Sequence, residues 1–210
     1  MKARPIKMAA MFIVALLISS LSQAQWYVGA SLGEAETDQG VGFDRPPNNH
    51  TDDSTELVWK LFGGYNVTPA FAVEFGYTDL GNEYETINIL GSNEEIRLDI
   101  SVIGATLIGR SEVHDKVDFF GRIGVAHWDV DLRYTESGFS TSGSDSDIDV
   151  IVGLGFQWGV SDAVGLRFEW QQFQNVGDEV TTNSSLPDGN HLQLNGQDIN
   201  VLAIGMSYRF

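Results

Sequence analysis

The chain has 210 residues and a formal net charge of −17, from 12 basic and 29 acidic side chains. This length suits one domain or two small ones, and the acidity argues against a nucleic-acid-binding protein, which needs a basic surface to meet phosphates. The absence of cysteine excludes disulfides, thiolate metal sites and a cysteine nucleophile.

The first 24 residues have the pattern of a secretory signal peptide. Lys2, Arg4 and Lys7 form a basic start, residues 8–18 are apolar and uncharged, and residues 22–24 read SQA. We expect cleavage after Ala24, because the triplet has a small residue at each end. The alternative is a membrane anchor, but the apolar segment is too short to cross a bilayer. Elsewhere no apolar run is long enough for a transmembrane helix, so a helical membrane protein is excluded.

The remaining chain, residues 25–210, alternates with a period of two. In residues 148–158 and 164–170, apolar side chains alternate with small or polar ones, which gives each strand one apolar and one polar face. The polar faces are rich in glycine, and aromatic residues lie near the ends of the apolar faces: Trp26, Trp59, Tyr77, Trp158, Trp170 and Tyr208. Such aromatic girdles are typical of outer-membrane barrels and favour a barrel over a soluble β-sandwich.

Eight strands are predicted, in chain order, at 26–34, 55–65, 71–80, 96–109, 117–134, 147–158, 163–174 and 198–210. The connections alternate between long (35–54, 81–95, 135–146 and 175–197) and short (66–70, 110–116 and 159–162). This pattern predicts an all-β fold: an eight-stranded antiparallel up-and-down transmembrane barrel with both termini in the periplasm. In 117–134, Arg122 shares the parity of apolar Trp128, so a bulge between Gly124 and His127 is expected.

Several of these segments resemble the barrel domain of the outer membrane protein A family. They are 26–33 (WYVGASLG), 62–69 (FGGYNVTP), 74–77 (EFGY), 167–170 (RFEW), 175–178 (NVGD) and 207–210 (SYRF). The resemblance implies a location in the bacterial outer membrane, with Phe210 as the terminal aromatic residue read by the assembly machinery. In that family a peptidoglycan-binding domain usually follows the barrel. We expect a barrel-only chain without that tether.

The same resemblance implies an ion network inside the barrel, which blocks or gates a narrow path. An eight-stranded barrel has an interior only wide enough for its own side chains. By motif, Glu74 and Arg167 match the acidic and basic positions of that network, Gln157 stands at its second acidic position and Thr106 at its lysine position. We expect Lys60, Glu169 and Arg122 to complete it. The network is either a gated minor pore or a structural core of salt bridges.

A candidate cation site lies near the outer rim. If the hairpin 128–150 is centred near Phe139, Asp131 lies opposite Asp147 and Asp129 opposite Asp149, with Trp128, Val130 and Leu132 facing lipid. All four carboxylates then face inward, and like charges this close require a cation, an arginine or solvent. The alternatives are a divalent-cation site, with the metal unknown, and a solvated rim neutralised in part by Arg133.

We expect no enzymatic activity and no cofactor. His127 is the only histidine within a predicted strand, and nothing in the spacing selects one of the rim serines 137, 140, 184 and 185 as its partner. The predicted function is a non-enzymatic integral outer-membrane barrel with a structural or surface-interaction role. The alternatives are a narrow, gated, cation-preferring minor porin and a barrel enzyme acting on lipid or peptide.

The expected partners follow from the membrane and from the outer loops. Residues 35–54, 81–95, 135–147 and 174–197 contain fifteen acidic residues and one basic residue. Such loops attract cations and basic partners. We expect outer-membrane lipid, lipopolysaccharide and the assembly machinery as partners, no nucleic acid, no peptidoglycan-binding domain and a monomeric state.

Overall fold

The computed structural model describes residues 25–37, 56–89, 92–136, 138–177, 180–182 and 196–210. The predicted signal peptide and three of the four rim serines (137, 184 and 185) lie outside the described residues. The strands are β1 (Trp26–Thr37), β2 (Glu56–Asn66), β3 (Phe71–Ile89), β4 (Ser92–His114), β5 (Val117–Glu136), β6 (Phe139–Gly159), β7 (Val164–Val176) and β8 (Gln197–Arg209).

The eight strands form a closed barrel in which each strand pairs with its neighbours in sequence and β1 pairs with β8. All pairs are antiparallel, so the predicted fold class is confirmed. The short turns, the start of β1 and the end of β8 lie at one end of the barrel, where the Phe210 amide donates to the Trp26 carbonyl at 3.0 Å. In outer-membrane barrels the short-turn end is periplasmic. The described part of the chain contains no helix long and apolar enough to span a membrane.

The wall of the barrel is much taller on one side than on the other. β1, β2, β7 and β8 have 11–13 residues, close to the roughly 9–11 that cross a bilayer, whereas β3 to β6 have 19–23. Most of the predicted loops 81–95 and 135–146 are therefore strand, and these loop predictions are wrong. We call the protruding sheet the outer extension. It comprises residues 79–89, 92–102, 126–136 and 139–150.

The outward face of the lower barrel is a continuous apolar band. Exposed residues include Phe75 on β3, Ile103 on β4, Ile123 on β5 and Phe168 on β7. The predicted girdle residues all have outward parity. Trp26 packs against Tyr65 at the periplasmic margin, with ring centroids 4.9 Å apart, and Trp59 against Tyr77 at the outer margin, at 5.4 Å. The band matches the lipid-facing surface of a membrane barrel.

The interior is built in three layers. An aromatic layer at the periplasmic end contains Tyr27, Phe62, Ala72, Ile108 and Phe120. A polar layer of buried charged and amide side chains lies above it. Above that, a larger apolar layer fills the outer half and includes Val58, Leu98, Val102, Ile151, Phe173, Val180 and Val201.

The apolar residues of β5 belong to this outer layer. Trp128, Val130 and Leu132 are each 1% exposed, so the prediction that they face lipid is wrong. The pairing of β5 with β4 and β6 runs without a shift through this region, so the bulge expected between Gly124 and His127 is absent from these ladders. Arg122 and Trp128 therefore lie on the same inward face.

Candidate functional site: the buried ion network

The polar layer centres on Glu74 of β3. Its Oε1 accepts from Arg122 Nη1 at 2.9 Å and lies 3.4 Å from Lys60 Nζ. Its Oε2 accepts from Arg167 Nη1 at 2.7 Å and from the Tyr27 hydroxyl at 3.0 Å. One carboxylate, 1% exposed, therefore contacts three cationic side chains from three other strands.

Glu169 of β7 is the second anion of the network. Its Oε2 accepts from Arg122 Nη2 at 2.6 Å, and its Oε1 accepts from Lys60 Nζ at 3.2 Å. Gln171, two residues along the same inward face, is also buried. With its amide oriented to satisfy both its oxygen and its nitrogen, its carbonyl lies 3.1 Å from Lys60 and 2.8 Å from Arg122. Short, charge-assisted contacts of this kind are the stronger class of hydrogen bond.

Arg167 joins the network to the aromatic layer beneath it. Its Nη2 donates to the Gln157 side-chain oxygen at 3.2 Å. Its guanidinium carbon lies 4.5 Å from the centroid of the Phe62 ring, 5.1 Å from that of Phe120 and 5.7 Å from that of Tyr27. The faces of aromatic rings attract cations, and a desolvated cation–π contact is worth about 2 kcal/mol. The three rings therefore stabilise positive charge where the carboxylates are fewer than the bases.

The network holds one more base than acid. Among the described residues of this layer, the buried acids that face Lys60, Arg122 and Arg167 are Glu74 and Glu169 alone. In addition, the Nε atoms of Arg122 and Arg167 are buried without a hydrogen-bond partner. An uncompensated buried charge is costly, so the amide carbonyls and aromatic faces are part of what holds the cluster.

The structure brings together all six residues of the predicted interior ion network. Thr106, at the lysine position suggested by the resemblance, is also buried and pairs directly with Glu74 across β3 and β4. Sequence reasoning missed Tyr27 and Gln171. Both have inward parity, and Gln171 stands two residues from Glu169, so strand parity combined with a polar side chain is the signal that would have identified them.

The predicted cation site is not assembled. Asp131 pairs with Ser144 and Asp129 with Ser146, whereas the prediction placed Asp147 and Asp149 opposite them. The displacement from 147 to 144 is three residues, an odd number, and an odd shift exchanges the two faces of a strand. Asp129 and Asp131 therefore point outward, while Asp147 and Asp149 have inward parity.

The inward aspartates have local partners instead. Asp149 accepts from Trp128 Nε1 at 2.8 Å, and Asp147 accepts from the amide of Ile148 at 2.7 Å. Among the described residues, no group of three or more acidic or histidine side chains is arranged to hold a metal ion. The four predicted carboxylates thus share no site.

His127 also points outward. Its Nε2 lies 3.7 Å from Asp129 Oδ2, and its Nδ1 lies 3.2 Å from the Asp147 carbonyl oxygen. Within the described ranges, no serine makes a hydrogen bond to this histidine.

Comparison with known proteins shows the family to which this barrel belongs. Residues 22–210 match the profile of the OmpA-like transmembrane domain. The chain belongs to this family. Outer membrane protein A of Klebsiella pneumoniae is 29% identical over 191 residues, covering 88% of this chain and 51% of the relative. The protein of the same name from Shigella flexneri is 29% identical over 188 residues, covering 88% and 48%. The chain thus spans about half the length of these curated relatives.

Solved structures show the same fold at low identity. Neisserial surface protein A has a TM-score of 0.57 and 14% identity, covering 90% of this chain and 100% of that structure. OprG from Pseudomonas aeruginosa has a TM-score of 0.55 and 13% identity, covering 90% and 97%. With the family match, these similarities identify an OmpA-like barrel of the bacterial outer membrane.

Proposed function

We propose that this OmpA-like barrel is a non-enzymatic protein with a structural or surface-interaction role in the outer membrane. The observation that carries the proposal is the filled interior. A charged layer whose groups contact one another lies between an aromatic layer and a thick apolar layer. Ions cross a pore through water, and closely packed apolar side chains exclude water.

Of the aromatic and apolar layers, the outer apolar layer is the stronger barrier to water and ions. Its largest members, Trp128, Tyr134 and Phe173, are each 1% exposed. Val180, in the connection between β7 and β8, is fully buried against the same cluster. This packing favours the structural interpretation of the ion network over the gated minor porin, and the net positive charge of the network speaks against cation preference.

Planar-bilayer recording tests this part of the proposal. Refolded protein should give no steady conductance if the packed apolar layer excludes water as proposed. Protein left unfolded in the same detergent controls for leakage caused by detergent. Reproducible, long-lived openings from the folded protein alone would contradict the proposal and favour the minor porin.

The outer extension supports the surface role. It presents outward polar and charged side chains such as Arg97, Asp99 and Asp131 beyond the apolar band. Strand pairing is a more rigid way to hold such a surface than a loop is. We propose that lipopolysaccharide and basic surface ligands are its partners, with the outer-membrane assembly machinery recognising Phe210 and the folded chain remaining a monomer.

A shortened barrel separates the structural role from the surface role. Trp128 and Asp147 are paired, so residues 129–146 can be replaced by an Asn-Gly turn that closes a two-residue hairpin. If the role is structural, this variant should restore detergent resistance to a deletion strain as well as the wild type does. If the role is surface interaction, it should fold but fail to restore the lost function. A deletion strain with normal permeability and normal surface binding would contradict both roles.

A further inference from the structure

We propose that the periplasmic mouth of the barrel is a binding site for a small oxyanion, such as a phosphate or a carboxylate. A cavity of about 210 Å³ opens there, below the ion network. A water molecule occupies about 30 Å³ in the liquid, so the cavity can hold such an anion together with part of its hydration. Its lining includes three basic side chains, Arg110, Lys116 and Arg209, and the polar Tyr27, Gln157 and Ser207.

Arg110 is the residue best placed to hold the anion. Its Nη1 donates to Asn66 Oδ1 at 2.6 Å, and its guanidinium carbon lies 5.3 Å from the centroid of the Tyr27 ring. These contacts fix the guanidinium at the cavity wall. Its Nε is buried and has no hydrogen-bond partner. Arg110 is half-buried, lines the cavity and forms no ion pair with a described residue, so an anion in the cavity would supply the opposite charge that this guanidinium lacks.

The charges around the cavity favour an anion. Asp118 and Asp162 also line it, but within the described part of the chain neither forms an ion pair with the three basic side chains. Gln157 lies between the cavity and the network, since its side-chain oxygen accepts from Arg167. The cavity is therefore connected, through Gln157 and the aromatic layer, to a buried layer with one excess positive charge.

The chemistry of the basic groups indicates an oxyanion in particular. A guanidinium presents several N–H donors in a plane that matches the oxygens of phosphate and carboxylate, and such charge-assisted bonds are short and strong. Lys116 lies on the exposed turn between β4 and β5, at the rim, where it can attract an anion approaching from the periplasm. Three basic and two acidic side chains line the cavity, and with the excess positive charge of the network the balance favours an anion over a cation.

The test is a side-chain NMR titration of the full-length mature barrel in octyl glucoside, a detergent without charge or phosphate. Sodium phosphate and sodium acetate replace chloride at constant ionic strength, and the arginine Nε–H resonances are followed. The Arg110 resonance, assigned with Arg110→Lys, should shift and saturate. Arg209→Gln should weaken binding about tenfold, as expected for the loss of one charge-assisted contact.

Arg110→Gln should abolish the saturable response of the Arg209 resonance. Arg97→Gln is the matched control, because Arg97 is an exposed arginine on the outer extension. If Arg110→Gln fails to fold, the titration midpoints of the two rim variants, Lys116→Gln and Arg209→Gln, provide the test. A shift that rises linearly without saturation, or an unchanged midpoint in both rim variants, would overturn the proposal.

A second arm distinguishes the source of the anion. Dihexanoylphosphatidylglycerol, added below its micelle concentration, presents the same phosphate chemistry on a lipid headgroup. Saturation by inorganic phosphate but not by the lipid identifies a free periplasmic anion as the ligand, whereas tighter saturation by the lipid identifies a headgroup. If neither inorganic phosphate nor the lipid gives a saturable shift, the proposed site is overturned.

Discussion

Removing the carboxylate charge of Glu74 should destabilise the barrel far more than removing a charge from Lys60. Glu74→Gln leaves three buried cations against one anion, whereas Lys60→Met leaves two against two. Breaking a buried pair by removing one partner costs about 3–5 kcal/mol, because the other charge stays buried without compensation. We expect Glu74→Gln to lie in that range and Lys60→Met to cost at least about 2 kcal/mol less.

The size of the expected difference comes from the contacts. Glu74 accepts from both arginines at 2.7–2.9 Å, whereas Lys60 contacts its carboxylates only at 3.2–3.4 Å. A matched control is Glu95→Gln. Glu95 lies 3.5 Å from Arg97, but both side chains are more than 40% exposed, so that pair is worth at most about 1 kcal/mol.

The measurement is urea unfolding of each variant in lipid vesicles, followed by tryptophan fluorescence and by the gel mobility of the folded form. Equal losses of unfolding free energy for Glu74→Gln and Lys60→Met would refute the argument from charge excess. A loss for Glu74→Gln no larger than that for Glu95→Gln would refute the network itself as a source of stability.

Three further predictions concern packing and conduction. Trp128→Ala should cost about 3–5 kcal/mol because it empties a fully buried site, and brominated lipid should quench Trp158 but not Trp128, as emission of single-tryptophan variants will show. Gly64→Ala should destabilise by about 1–3 kcal/mol in urea unfolding because its Cβ would collide with the Tyr27 ring, whereas Gly63→Ala on the lipid side should be nearly neutral. If rare openings occur in bilayers, the reversal potential in a salt gradient should show a preference for anions, because the interior has three bases and two acids.

The fold and six members of the ion network could be predicted from the sequence, the fold from strand parity and the network from the family resemblance, with which parity agrees. Within the membrane, an outward residue must be apolar, so a charge such as Glu74 or Arg167 has to point inward. An eight-stranded barrel is narrow enough that inward charges at similar heights meet. The pairing partners were less predictable, since Lys60 reaches Glu169 across the barrel and not along a ladder.

The register of the β5–β6 hairpin could not be predicted, because the sequence between the strands contains no unique turn signal. Residues 137–144 read SGFSTSGS, which allows several hairpin centres. The observed ladder pairs Glu136 with Phe139, and Gly138 has a φ of 92°, a conformation that glycine adopts readily. The predicted register differs from the observed one by three residues in the pairing, and this odd shift wrongly placed Asp129 and Asp131 on the inward face.

The bulge was predicted wrongly because the surroundings of β5 change along its length while the strand itself is continuous. On the outward face of β5, Val125 is the last apolar residue and Asp129 lies two steps above it. On the inward face, polar Arg122 gives way to apolar Trp128 over the same stretch. Below this height lipid covers the outside, and above it water does, so the apolar face of the strand must change from outward to inward. A parity break with unbroken pairing therefore indicates where the barrel leaves the membrane, and the outer extension is folded about its own apolar core as a water-exposed sheet would be.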